Sequence, residues 1–175
     1  AKDFPPPITG PQLTELYLRI GREFSNTRDF ANAERAVKQA LLVDNKPVAG
    51  RIALSEIYTM QKRTADAIEQ YRLVLSLSPN QPMSLNNIAW LLATTQDENA
   101  RNPKEALAFA TRLCDLTKHR EPVSLDTLSV AQAASGQFEL AIRTCEKAII
   151  EARKIGKPTS NMDNRLRLFR SRRPY

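Results

Sequence analysis

Residues 48–81 read VAGRIALSEIYTMQKRTADAIEQYRLVLSLSPNQ. Within this stretch Leu54, Tyr58, Ala67, Tyr71, Val74 and Pro79 stand four, nine, four, three and five residues apart. Spacings of three and four put side chains on one face of an α-helix, so the pattern predicts two amphipathic helices joined by a turn at 61–64. Small residues fall where two helices must come close, and larger ones fill the space beside them. Thirty-four residues upstream the same order returns as Ile20, Phe24, Ala33, Val37 and Ala40.

Outward from that stretch, the pattern extends in both directions. Upstream, Leu13, Leu16, Tyr17, Ile20 and Phe24 form a helical face, with Gly21 as a point of close approach for a second helix. The run SNTRD at 25–29 reads as a turn, followed by a helix carrying Phe30, Ala33, Val37, Ala40 and Leu41, which Asp44, Asn45, Lys46 and Pro47 bring to an end. Before it, Pro5, Pro6 and Pro7 favour an extended lead-in, and Thr9 or Gly10 is placed to cap the first helix with Pro11 in its opening turn. Downstream, MSLNNIAWLLATTQ at 83–96 places Leu85, Ile88, Ala89 and Leu92 on one face. Its turn, DENARNP at 97–103, is about five residues longer than the others, and Ala106, Ala110 and Leu113 resume the pattern. A further pair starts near Pro122 with Leu125, Leu128 and Ser129. It turns at Gly136 and continues through Phe138, Ala141, Cys145 and Ala148 to about Ile155. Gly156, Lys157 and Pro158 stop it. The last run, SNMDNRLRLFRSRRPY, sets Met162, Leu166 and Phe169 on one side of a short helix and arginines on the other.

A two-helix unit recurring every 34 residues resembles the tetratricopeptide repeat. The resemblance covers about residues 11–170, and the NNIAWLLAT stretch with its longer turn and the terminal RLRLFRSRRPY also look like bacterial members of that superfamily. It implies an all-α fold, a right-handed α-α superhelical solenoid of about four repeats with a C-terminal capping helix. The expected organisation is an extended lead-in over 1–10 and a repeat domain over 11–158. The repeats lie at about 14–47, 48–81, 82–121 and 122–155, and a basic capping helix and tail follow over 159–175. Two departures are visible: the long turn of the third repeat, and Gln132 where the fourth repeat would carry an aromatic residue.

Composition narrows the function. Charged residues make up 26 % and apolar ones 42 %, which is ordinary for a globular protein, and five glycines against abundant alanine and leucine favour helix. Five scattered glycines make no phosphate-binding loop, and a single histidine, His119, excludes a two-histidine metal site and a His-based triad. Acid pairs such as Asp97 and Glu98 sit in turns, where carboxylates are solvated. No catalytic residue, cofactor or metal ligand is expected. Cys114 and Cys145 read as small buried apolar residues, with a disulfide between neighbouring helices as the alternative. No apolar run reaches the length that crosses a bilayer. The opening AKDFPPPITGP carries no leader pattern. The expected location is the cytoplasm or, for an exported bacterial fragment, the periplasm.

In tetratricopeptide proteins the first helix of each repeat lines a concave groove. Carried onto this sequence, the groove-facing places are Leu18, Arg19, Arg22 and Asn26; Ile52, Ala53, Glu56 and Met60; Asn86, Asn87, Trp90 and Thr94; and Asp126, Thr127 and Val130. The arginines offer forked donors, the two amides suit a peptide backbone, and the indole is a large anchor. Trp90 packing between repeats and solvated Arg19 and Arg22 are the plainer alternatives. The carboxylate clamp of chaperone-binding members is incomplete, because Leu18 and Met83 stand where it needs basic residues. The resemblance therefore implies a non-enzymatic scaffold that binds a protein or peptide segment in its groove.

A second reading comes from charge. The net charge of +7 is concentrated in residues 151–175, which contribute +6. Arg165, Arg167, Arg170, Arg172 and Arg173 could draw a polyanion such as nucleic acid, anionic lipid or acidic polysaccharide, although a solvated capping helix explains them as well. Self-assembly of copies through exposed repeat ends, or service as a module of a larger protein, is a third reading.

Overall fold

The computed structural model describes residues 9–43 and 47–175. The proline-rich lead-in at 1–8 and the helix stop at 44–46 lie outside the described residues. Among these, nine helices and no strand are present. They are α1 (Gly10–Asn26), α2 (Phe30–Val43), α3 (Pro47–Met60), α4 (Thr64–Leu77), α5 (Pro82–Thr94), α6 (Pro103–Leu116), α7 (Pro122–Ala134), α8 (Phe138–Lys154) and α9 (Ser160–Arg170). The chain divides into two compact units between Leu77 and Ser78.

In the first unit α1 packs on α2 and α3 on α4, with α2 against α3. Residues 10–26 start as a helix because Thr9 is extended and its N–H donates to Gln12 Oε1 at 2.9 Å, with Pro11 in the first turn. Close packing depends on the small residues. A Cβ on Gly21 would meet Val37 Cγ2 at 2.6 Å and the Ala33 carbonyl oxygen at 3.3 Å. Ser55, Ala33, Ala67, Ala40 and Val74 are fully buried. Tyr58 donates its hydroxyl proton to Glu34 at 3.1 Å, and the Arg63 guanidinium lies 4.1 Å from the Tyr58 ring centroid while reaching Glu34 at 2.9 Å. Burial works to raise the Glu34 carboxyl, but hydrogen bonds from Lys38 and Tyr58 outweigh it and hold the group below the usual carboxylate range.

Gly21→Ala gives a direct test of this packing. Alanine's helix propensity would return about 1 kcal/mol, and overpacking costs about 1–3 kcal/mol. A rigid backbone oxygen is among the obstacles, so the clash should win. The urea midpoint is expected to fall, and a midpoint that rose would refute the close approach.

In the second unit α5 packs on α6 and α7 on α8, α6 and α5 both touch α7, and α9 lies on α8 and reaches α7. Three of its helices begin at a proline, and each is capped by the side chain just before it. Gln81 accepts from Ser84 N at 2.6 Å, Asn102 from Glu105 N at 3.1 Å and Glu121 from Ser124 N at 2.6 Å. The long turn between α5 and α6 is held by Asn102 N–H donating to the Leu92 carbonyl at 3.0 Å. Ala89, Ser129, Ala106, Ala141, Ala110, Cys145 and Ala148 form the packed interior. Several helices end on a residue in the left-handed region: Arg28 at φ 61°, Lys62 at 60°, Lys118 at 52° and Arg172 at 53°, with Gly136 at 76° supplying the α7–α8 turn.

Cys114 and Cys145 are buried free thiols. Burial pushes the first up to about 12 and the second up to about 11, which removes them from thiolate chemistry near neutral pH. His119 sits at the surface with Nε2 3.0 Å from Asp115 Oδ1.

Candidate functional site

The helical period carries Asn86 and Trp90 onto one face of α5, and α7 brings Asp126 and Thr127 beside them. Thr127 donates its hydroxyl proton to Asn86 Oδ1 at 2.7 Å, and Asn86 Nδ2 donates to Asn87 Oδ1 at 3.2 Å. Thr94 turns its hydroxyl back to the Trp90 carbonyl at 2.8 Å. Thr127 is buried, while Asn86, Asn87, Trp90 and Thr94 are half-buried. The expected groove residues of α5 and α7 therefore form one polar and aromatic surface.

That surface is covered in part by the C-terminal segment. Arg165, projecting from α9, donates Nε to Asp126 Oδ1 at 2.9 Å and Nη2 to Asp126 Oδ2, a forked pair. Arg165 is 6 % exposed and Asp126 7 %. Burial pushes the Asp126 carboxyl above its usual range, and the guanidinium pulls in the opposite direction. The same guanidinium lies 5.4 Å from the Trp90 ring centroid and 5.3 Å from that of Tyr175. The Trp90 and Tyr175 rings are 5.6 Å apart and tilted by 59°. Each distance falls within the range of favourable cation–π or tilted aromatic contact.

Two expectations change here. Arg165 is not part of a solvated basic tail, because Asp126 compensates its charge out of water. Asp126 is not an open groove position, because Arg165 already occupies it. The other tail arginines stay exposed, but two hold carboxylates of α8: Arg170 with Glu146 at 2.8 Å and Arg172 with Glu139 at 2.6 Å. Arg167 binds Asn164 within its own helix, and Arg173 is exposed. Less of the basic charge is therefore available to a polyanion than the sequence count implies. Nothing in helical spacing links Tyr175 to Trp90, so the sequence does not mark it as a site residue.

In the first unit the expected residues do not converge in the same way. Arg22, Asn26 and Met60 are exposed and Glu56 is half-buried. Burial raises the Glu56 carboxyl, against the charge of Arg22. Arg19 lines an open cleft of about 510 Å³ with Ile20, Glu23, Phe24 and Thr27, which includes neither Arg22 nor Asn26. Among the described residues no group of three or more His, Cys, Asp or Glu is set to hold a metal ion. No helix among them is long and apolar enough to cross a membrane.

Paired helices with small residues at each close approach, and a face built from amides, an indole and an ion pair, define a helical-repeat protein with a surface suited to holding another molecule. Comparison with known proteins sharpens the class. Residues 14–47 match the model of a tetratricopeptide repeat. No curated protein matches the sequence. Among solved structures, PilW, described as a widely conserved type IV pilus biogenesis factor, is similar with a TM-score of 0.66 and 24 % identity, over 79 % of this chain and 62 % of PilW. The chain thus spans less than two thirds of PilW. MamA from Desulfovibrio magneticus RS-1, residues 41 to the end, has a TM-score of 0.71 and 17 % identity, over 91 % of this chain and 88 % of that one. A tetratricopeptide repeat protein from Parabacteroides merdae ATCC 43184 has a TM-score of 0.72 and 19 % identity, over 91 % of this chain and 61 % of that one. At these identities the likeness is one of fold. One repeat is thus matched in sequence, and the all-α helical-repeat fold is shared with these structural neighbours.

Proposed function

We propose that this protein is a non-enzymatic scaffold that holds a segment of a partner protein on the surface formed by α5 and α7. The observation that carries this reading is the Trp90 surface, where the indole stands beside an Arg165 guanidinium held by Asp126 and already meets the Tyr175 ring. Such a surface combines what segment recognition needs: an aromatic anchor, amide groups that both donate and accept, and a fixed charge. Arg22, Asn26, Glu56 and Met60 offer a second, more open contact surface in the first unit.

The test is capture of partner proteins by the intact chain and by a Trp90→Ala/Asn87→Ala variant. Truncating a central aromatic anchor costs about 2 kcal/mol or more, so capture should fall by roughly thirtyfold or more. Equal capture by the two proteins, with unchanged helicity, would remove this surface as the binding site.

A further inference from the structure

Tyr175 is tied into the fold differently from the other residues that close the Trp90 surface. Arg165 is fixed by the forked pair with Asp126 and belongs to a helix whose Met162, Leu166 and Phe169 are buried. Tyr175 follows Pro174 beyond the last helix and is 52 % exposed, and its ring meets the Trp90 ring and the Arg165 guanidinium. One wall of the contact is therefore held in place and the other is a single aromatic side chain on an irregular segment.

The geometry points to Trp90 and Arg165 as a recognition site for an aromatic side chain on an extended, proline-containing segment, with Tyr175 as the chain's own occupant of that site. The proposal rests on the scaffold reading above and names the kind of segment it takes. The Trp90 ring supplies a tilted aromatic contact, and the Arg165 guanidinium, held by Asp126 at the right distance, supplies a cation over the face of the incoming ring. Because the guanidinium is immobilised before any ligand arrives, little side-chain freedom is lost on binding. A partner segment enters by exchanging with Tyr175, whose ring swings out of the contact while α9 stays in place. The occupancy of the site by Tyr175 then sets a threshold that a competing segment has to exceed.

The chain has one tryptophan, so its emission reports this site alone. The probe is a synthetic Ser-Arg-Arg-Pro-Tyr peptide, matching residues 171–175, with Ser-Arg-Arg-Pro-Ala as control. Tyr175→Ala is expected to shift the Trp90 emission to longer wavelength with unchanged circular dichroism. The variant should bind the tyrosine peptide and not the alanine peptide. Binding by the unsubstituted chain should be about tenfold weaker or less, since a short tether presents Tyr175 at an effective concentration in the millimolar range. Unaltered emission in Tyr175→Ala would show that the ring does not cover Trp90 and would overturn the proposal. Equal binding of both peptides would do the same by assigning the attraction to the arginines. Emission of the unsubstituted chain that changes with protein concentration would place Tyr175 on a neighbouring copy and overturn the exchange within one chain. A Tyr175→Ala chain that ignores the peptide but still captures partners in a Trp90-independent way would sink both this site and its placement in the scaffold reading. Capture that depends on Trp90 without peptide binding would sink the aromatic specificity alone.

Discussion

Asp126→Ala is expected to destabilise the second unit by about 3–5 kcal/mol, the range observed when one partner of a buried ion pair is removed and the other charge is left uncompensated. The argument rests on burial. Both side chains are almost wholly out of water, and the guanidinium has two of its donors on that one carboxylate. Among the described residues Asp126 is the acceptor that Arg165 meets. Arg165→Met alone should cost less than Asp126→Ala, because an uncharged carboxyl is easier to bury than an orphaned guanidinium. The double variant Asp126→Leu/Arg165→Met should recover most of the loss, since well-packed apolar replacements of buried pairs are often neutral. Urea unfolding followed by Trp90 emission reads the second unit directly. A single-variant loss under about 1 kcal/mol would match a surface ion pair and contradict the burial described here.

The second large effect concerns Phe169. Its side chain is fully buried, and with Met162 and Leu166 it forms the apolar side of α9 that packs on α8. Truncating a buried phenylalanine to alanine costs about 3–5 kcal/mol through lost transfer energy and the cavity left behind. Phe169→Ala should therefore loosen α9 as a whole and carry Arg165 with it, so that Trp90 emission changes at denaturant concentrations where the other helices still hold. Phe169→Leu, closer in volume, should lose under half as much. If Phe169→Ala left the unfolding midpoint of the second unit unmoved, α9 would contribute no packing and could not position Arg165.

Much of the fold is written locally. Ala33, Ala67, Ala106 and Ala141 recur because each must sit against a facing helix with no room for a longer side chain, and a requirement repeated every 34 to 39 residues is visible in one dimension. The α5 part of the α5–α7 surface is legible in the helical period, because Asn86 and Trp90 stand four residues apart on one face. What covers that surface is not. Arg165 meets Asp126 across 39 residues, and no period connects them. Counted by composition, Arg165 is one more cation in a basic tail, because charge totals ignore where each charge is neutralised. Tyr175 is hidden for a related reason, since a lone aromatic after a proline has no pattern to join.

The helix ends at Arg28, Lys62, Lys118 and Arg172 hold left-handed backbone with long side chains, at a cost of roughly 1 kcal/mol or more at each site relative to glycine, which needs no such adjustment. These ends thus mark an unspent margin of thermal tolerance. Lineages exposed to heat could draw on it one turn at a time without touching a single residue of the packed interior or of the Trp90 surface.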